Sequence, residues 1–169
     1  MSPDIHITHP MTPNTHDPTP GPPDQAPKIR LLFVCIGNIC RSPMAAGLAQ
    51  KMLRGHAEVE SAGIAPFGEG AADEVVRVMG QEGIDLSGHR PRNVTRLSLR
   101  DFDCIVAMDA LVHRYLNERC RVPHIKLIPW DIHDPFGQDM DAYEEALQAI
   151  RAHVKDLVFQ LGLGSGEDG

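Results

Sequence analysis

The chain has 169 residues, of which 42% are apolar, and a formal net charge of −7. This length and composition suffice for one globular domain with a substantial core, and the negative charge argues against nucleic acid as a partner. The sequence contains neither an apolar leader nor a run of about 18 apolar residues, so we expect no signal peptide and no membrane span. Four cysteines without the spacing of a disulfide framework fit a reducing compartment. We expect a monomeric, cytoplasmic protein.

The first 27 residues differ in composition from the rest of the chain. They contain eight of the fourteen prolines and few large apolar side chains, so they cannot bury enough surface to offset the entropy of ordering. We therefore expect a disordered tail over 1–27, a domain over 28–161 and a flexible tail over 162–169. Three histidines in the first tail would suit a metal-binding tract, but nothing in the sequence fixes their geometry, which favours a solvated tail.

The domain opens on the pattern strand, tight loop, helix. Ile29 to Val34 is an apolar run with β-branched and aromatic residues, typical of a strand buried on both faces of a parallel sheet. Ser42 followed by Pro43 predicts a helix start, because a serine hydroxyl can cap unpaired N–H groups and proline is tolerated at the first helical position. We expect this helix to run to about Arg54, before Gly55.

The loop between this strand and this helix has the composition of an anion site. A loop that enters a helix N-terminus points backbone N–H groups and the positive end of the helix dipole at one place, which suits phosphate. The same field favours the thiolate form of Cys35, and Arg41 supplies a planar fork for two phosphate oxygens. Gly37 permits a turn that a side chain would obstruct, and the Asn38 side chain can bond within the loop. The alternative is that Cys35 and Cys40 are two buried thiols or half a metal site.

Strands and helices alternate through the rest of the chain. The predicted elements are strands at 57–61, 103–108 and 125–128, and helices at 73–82, from 109 onwards and at 141–161. This alternation predicts right-handed crossovers and an α/β fold in three layers, with a parallel sheet of about four strands flanked by helices. The phosphate-binding loop would follow the first strand. Because ligands bind at the carboxyl ends of such strands, the loops after the first and fourth strands should lie close together.

Two further loops carry candidate pocket residues. Phe67 stands in a loop between proline and glycine, where it either walls a pocket or simply anchors the loop. After the fourth predicted strand, Asp134 and Phe136 flank a proline in the run Asp-Pro-Phe-Gly. An Asp-Pro turn is also common without any catalytic role. The position of this run at the functional edge of the sheet makes Asp134 a candidate acid.

The string Cys-Ile-Gly-Asn-Ile-Cys-Arg-Ser-Pro over 35–43 resembles the low-molecular-weight protein tyrosine phosphatase family. The resemblance extends over about 28–161. It implies that Cys35 is the nucleophile, that Arg41 holds the phosphate and that Asp134 gives a proton to the leaving group. It further implies a substrate site formed by Ile36, Gly37, Asn38, Ile39, Cys40 and Ser42, with Phe67 and Phe136 beside the substrate ring.

The resemblance also implies a hydrogen-bonded network that holds the phosphate loop. The run Gly-Ile-Asp-Leu-Ser-Gly-His-Arg over 83–90 matches the family segment that supplies a histidine to this network. Its members here would be His89, Asn38, Ser42 and Ser61. Gly137 stands where some members have a second bulky residue, so substrate preference follows less firmly than mechanism.

The resemblance predicts hydrolysis of protein phosphotyrosine and aryl phosphates through a phosphocysteine, with phosphotyrosine proteins as partners and no metal or cofactor. Arsenate reductases of the same fold use two further cysteines on a mobile segment, whereas Cys104 is predicted in a strand and Cys120 beyond a helix. Protein arginine phosphatases carry threonine where Ile39 stands. A noncatalytic phosphate-binding module would lack the nucleophile or the acid, and both are present.

Cys40 has two interpretations. It lies five residues after Cys35 on the same loop. It either fills space beneath the loop or forms a disulfide with Cys35 once peroxide has oxidised that thiol. The second interpretation requires the loop to bring the two residues within disulfide reach.

Overall fold

The computed structural model describes residues 28–163. The strands are β1 (Ile29–Cys35), β2 (Ala57–Gly63), β3 (Cys104–Ala107) and β4 (Leu127–Pro129), and the helices are α1 (Arg41–Leu53), α2 (Asp73–Gln81), α3 (Ala110–Glu118) and α4 (Met140–Gln160). Two 3₁₀ turns, Val94–Arg96 and Leu99–Asp101, were not predicted, because so short a segment shows no periodicity. Within 28–163, no helix is both long and apolar enough to cross a bilayer. The predicted tail over 1–27 and most of that over 162–169 lie outside the described residues.

The four strands form one parallel sheet in the order β2-β1-β3-β4. Successive side chains of the central strand β1 enter two different cores, because neighbouring residues of a strand point to opposite faces. Leu31 and Phe33 pack with α1 and α4, whereas Leu32 and Val34 pack with α3. The result is a three-layer α/β fold, as the sequence predicted.

The fourth strand begins later than predicted. The sequence places Ile125 in this strand, but its side chain is 92% exposed. The backbone N–H of Lys126 bonds to the Pro123 carbonyl and that of Leu127 to the His124 carbonyl, so these residues form a turn that leads into β4. A single apolar residue in a turn imitates the start of a strand when only the sequence is read.

The start of α1 also differs from the prediction. The helix begins at Arg41, its N-cap residue is Cys40, and the cap makes no side-chain hydrogen bond. Ser42 lies inside the first turn, and its hydroxyl lies 2.9 Å from the Cys35 sulfur. The predicted capping role of Ser42 is therefore wrong. By contrast, Asp109 does cap α3, since its Oδ1 accepts the Val112 N–H at 2.9 Å.

Candidate active site

The loop after β1 curls around the Cys35 side chain, which is almost fully buried. The backbone N–H of Asn38 donates to Cys35 Sγ at 3.2 Å, and Ser42 Oγ lies 2.9 Å from the same sulfur. The position of Cys35 at the carboxyl end of the central strand directs this thiol toward the mouth of the loop.

Asn38 holds the loop in shape. Its backbone has φ +56°, a left-handed conformation that is unfavourable for a residue with a side chain. The Asn38 Nδ2 donates to Ser42 Oγ at 2.9 Å and to Ser61 Oγ at 3.0 Å, and Oδ1 accepts the Arg92 N–H at 3.0 Å. These three bonds offset the backbone strain.

His89 joins the same network. Its Nε2 lies 2.7 Å from the Asn38 carbonyl oxygen. Burial lowers the pKa of His89, and two nearby arginines add to this effect. A neutral His89 would therefore donate its Nε2–H to Asn38. The structure thus brings together the four predicted network residues, His89, Asn38, Ser42 and Ser61.

Two glycines are required for close packing. A Cβ on Gly37 would overlap the Phe67 ring, and a Cβ on Gly63 would come within 2.6 Å of the Ile36 carbonyl oxygen. The sequence predicted that a side chain at Gly37 would obstruct a turn; the atoms that a side chain there would meet belong to Phe67, and the residue with positive φ in this loop is Asn38. Gly37 therefore makes room for the aromatic ring above it.

Arg41 is buried and held from two sides. Its Nη1 donates to Asp109 Oδ2 at 2.7 Å and to the Ile132 carbonyl oxygen at 2.9 Å. Its Nη2 lies 3.6 Å from Asp134 Oδ2. The sequence predicted only that a helix starts at Asp109; an additional signal was its place just after β3, next to the strand that carries Cys35. The contact with Ile132 joins the loop after β4 to the phosphate loop.

Two aromatic rings meet above the loop. The Phe67 and Phe136 centroids are 5.3 Å apart in an edge-to-face arrangement, and both side chains are about half exposed. Asp134 lies beside them, and its Oδ1 accepts the Phe136 N–H at 3.1 Å. The carboxylate and both rings therefore stand at the entrance to the loop.

The site encloses a cavity of about 40 Å³. Its walls contain most of the predicted residues, namely Cys35, Ile36, Gly37, Ile39, Cys40, Arg41, Phe67, Asp134 and Phe136. By this measure about 10–15 Å³ is enough to hold one water molecule, so this space suits a compact group such as a phosphoryl. A separate open groove of about 800 Å³ runs beside α3 and the end of β4, and no cysteine lines it.

Cys40 lies under the loop against α4. Burial raises the pKa of its thiol to about 12, and the Tyr143 hydroxyl partly opposes this shift. Cys104 and Cys120 are only partly buried and lie on β3 and just after α3. Within 28–163, no group of three or more histidine, cysteine or acidic side chains is arranged to hold a metal.

A three-layer α/β fold in which a cysteine at the end of the central strand and an arginine at the start of the next helix line one small cavity is the architecture expected of a phosphate-ester enzyme. The family model described as low molecular weight phosphotyrosine protein phosphatase matches residues 30–164. The chain belongs to this family, as the sequence predicted, and is an enzyme of the phosphatase class.

Individual relatives agree with this assignment. A probable low molecular weight protein-tyrosine-phosphatase, EpsP of Ralstonia nicotianae, is 37% identical over 73% of this chain and 90% of its own length. YfkJ of Bacillus subtilis, named a low molecular weight protein-tyrosine-phosphatase, is 43% identical over 77% of this chain and 94% of its own. The crystal structure of a low molecular weight protein tyrosine phosphatase from T. tengcongensis has a TM-score of 0.73 and 32% identity over 79% of this chain and 99% of that one.

Relatives named for other activities are nearly as similar to this chain in sequence. A protein-arginine-phosphatase of Geobacillus stearothermophilus is 31% identical over 78% of this chain and 95% of its own length. Arsenate reductase 2 of Staphylococcus haemolyticus is 28% identical over 77% of this chain and 96% of its own. Overall similarity therefore does not distinguish among these substrates, which differ in the group that meets the site.

Proposed function

We propose that this enzyme hydrolyses phosphotyrosine in proteins, and simple aryl phosphates, through a phosphocysteine intermediate. One observation carries the proposal: the Cys35 sulfur and the buried Arg41 guanidinium face the same small cavity, with the Asp134 carboxyl at its rim. A nucleophile, a cation for the phosphate oxygens and a proton donor are the groups that transfer of a phosphoryl group from an aryl ester requires.

In the first step, the Cys35 thiolate attacks phosphorus in line with the ester bond. The S–P bond forms while the P–O bond to the aryl group breaks, and Asp134 donates its proton to the departing phenolate oxygen. Backbone N–H groups of the loop and the Arg41 side chain hold the other three phosphate oxygens. The products are a phenol and phosphocysteine.

In the second step, a water molecule attacks the phosphorus of the phosphocysteine. Asp134, now ionised, takes a proton from this water, and the S–P bond breaks to return the thiolate and release inorganic phosphate. The contacts from Asn38 and Ser42 to Cys35 Sγ favour the thiolate as a leaving group. The cycle needs no electron transfer.

Specificity for tyrosine is proposed to come from the depth of the site. The cavity takes the phosphoryl group, so the ester oxygen must be carried to its mouth by a group that packs against the half-exposed Phe67 and Phe136 rings. A planar phenyl ring does this, whereas the short side chain of phosphoserine would bring the peptide backbone against the two rings.

We expect kcat/KM for a phosphotyrosine peptide to exceed that for the matched phosphoserine peptide by at least about 10²-fold. The measurement is phosphate release from the two peptides by the purified enzyme in EDTA. Comparable values for the two peptides would refute the proposed specificity.

Two further assays, phosphate release from a phosphoarginine peptide and reduction of arsenate, address the other activities found among the relatives. Ile39 is largely buried and lines the cavity; it places an apolar side chain where arginine phosphatases of this family carry threonine, which favours a phenyl ring over a guanidinium. We therefore expect slow turnover of a phosphoarginine peptide. We also expect no reduction of arsenate in the presence of thioredoxin, because Cys104 lies within β3, next to β1 in the sheet.

Cys40 yields a pH prediction. A thiol attacks a sulfenic acid as its thiolate, and burial raises the pKa of Cys40 to about 12. Below that pKa the thiolate fraction rises about tenfold per pH unit, so the yield of a Cys35–Cys40 disulfide after peroxide treatment should increase from pH 7 to pH 9. Mass spectrometry of the loop peptide and recovery of activity with dithiothreitol measure this yield. If no disulfide forms at any pH and Cys40→Ser recovers as well as wild type, Cys40 only fills space.

A further inference from the structure

The loop between β4 and α4 contains a glutamine whose side chain turns back toward Asp134. Gln138 Nε2 donates to the Asp134 carbonyl oxygen at 2.9 Å and lies 2.9 Å from His133 Nε2. The Gln138 backbone N–H donates to the Pro135 carbonyl at 3.0 Å, and the intervening Gly137 has φ +77°. One residue thus bonds to three successive residues around the candidate acid.

The loop is otherwise anchored mainly at its two ends. At its start, the Ile132 N–H donates to the Met108 carbonyl at 2.9 Å, and the Ile132 carbonyl accepts from Arg41. At its end, Asp139 Oδ1 accepts the Ala142 N–H at 3.0 Å and caps α4. Between these points, the Asp134 side chain is 45% exposed. Its carboxyl is held by the Phe136 N–H and lies near Arg41, so its place depends on the conformation of the loop backbone that carries it.

A proton donor must lie within hydrogen-bond reach of the leaving oxygen, and a displacement of about 1 Å can cost about 10²-fold in rate. Gln138 does not line the cavity that would hold the phosphoryl group. Its hydrogen bonds act on the backbone that carries Asp134. With Nε2 as the donor in both contacts, His133 accepts through an unprotonated Nε2.

We propose that Gln138 is a positioning residue for the acid: its side-chain amide bridges His133 and the Asp134 carbonyl and thereby keeps the Asp134 carboxyl at the rim of the cavity beside Arg41. This inference rests on the proposed function of the site. It assigns Gln138 no contact with substrate and no step of the reaction.

The test is the leaving-group dependence of Gln138→Met, which keeps the side-chain length and removes the donor. Proton donation matters most for a basic phenolate and little for nitrophenolate. We expect kcat/KM to fall about 5- to 20-fold for phenyl phosphate and less than about 2-fold for nitrophenyl phosphate. Inhibition by inorganic phosphate should not change, because Cys35, Arg41 and the loop N–H groups are untouched.

Two further variants complete the experiment. The carboxylate of Gln138→Glu has the same shape as the amide but cannot donate a hydrogen bond, so this variant should show the same selective loss. Gln148→Met makes the glutamine-to-methionine change at an exposed position of α4 and should behave as wild type. An equal fall on both substrates, or no fall, in Gln138→Met and Gln138→Glu would overturn the proposal. If wild type hydrolyses neither ester, the proposed function fails instead. Amide hydrogen exchange over 133–139 then still tests the hydrogen bonds of the Gln138 side chain. We expect faster exchange in Gln138→Met than in wild type, and unchanged exchange would overturn the proposal.

Discussion

Cys35→Ser is expected to abolish turnover, with a loss of at least about 10⁴-fold in kcat, while the protein still binds inorganic phosphate. A serine hydroxyl at this position is a much weaker nucleophile than a thiolate. The loop N–H groups and Arg41 are unchanged, so the anion site should survive. Phosphate release from nitrophenyl phosphate measures the first effect, and calorimetric titration with phosphate measures the second.

The intermediate itself supplies an independent readout. Wild-type enzyme quenched in acid during turnover should contain a phosphorylated peptide that includes Cys35, detectable by mass spectrometry. Cys120→Ser is the matched control, since Cys120 is a partly buried cysteine just after α3 and does not line the cavity. Full activity in Cys35→Ser would end the proposed mechanism.

Asp134→Ala is expected to lower kcat by about 10²–10⁴-fold, because this variant loses both the acid of the first step and the base of the second. The first-step loss, read from kcat/KM, should be smaller for nitrophenyl phosphate than for phenyl phosphate, since a good leaving group needs less protonation. Steady-state assays with the two esters separate the two contributions.

Asp131→Ala provides the comparison within the same loop. Asp131 is exposed and lines the separate groove instead of the cavity, so its removal should leave kcat within about 2-fold of wild type. If Asp131→Ala and Asp134→Ala lose activity equally, or if the Asp134→Ala loss in kcat/KM is the same for both esters, Asp134 is not the proton donor.

Asp109 links these chemical groups to the fold. Its carboxylate accepts a 2.7 Å hydrogen bond from Arg41 and also caps α3, so one side chain orients the arginine and begins a helix. The Ile132 carbonyl supports the same guanidinium from the loop that carries Asp134. Arg41 is thus held by the loops after β3 and β4, while it is itself the first residue of α1, directly after the phosphate loop.

The amino-acid sequence by itself determined the fold class, the family and the local composition of the phosphate loop. Buried strands, amphipathic helices and a glycine-containing loop before a helix are local patterns, set by residues only a few positions apart. The order of these elements was sufficient to predict a parallel sheet, and the structure confirms it. Cys35 and Arg41 could be singled out for the same reason, since their chemistry depends on one short segment.

Contacts between distant segments were decided only by the tertiary structure. The left-handed backbone of Asn38, the support of Arg41 by Asp109 and Ile132, and the need for Gly37 beneath Phe67 all involve residues far apart in the chain. Ile125 was wrongly predicted to lie in a strand for the same reason, because an apolar residue is buried only where another element covers it. Local periodicity contains no information on which side chains meet across loops; packing of the whole chain sets those distances.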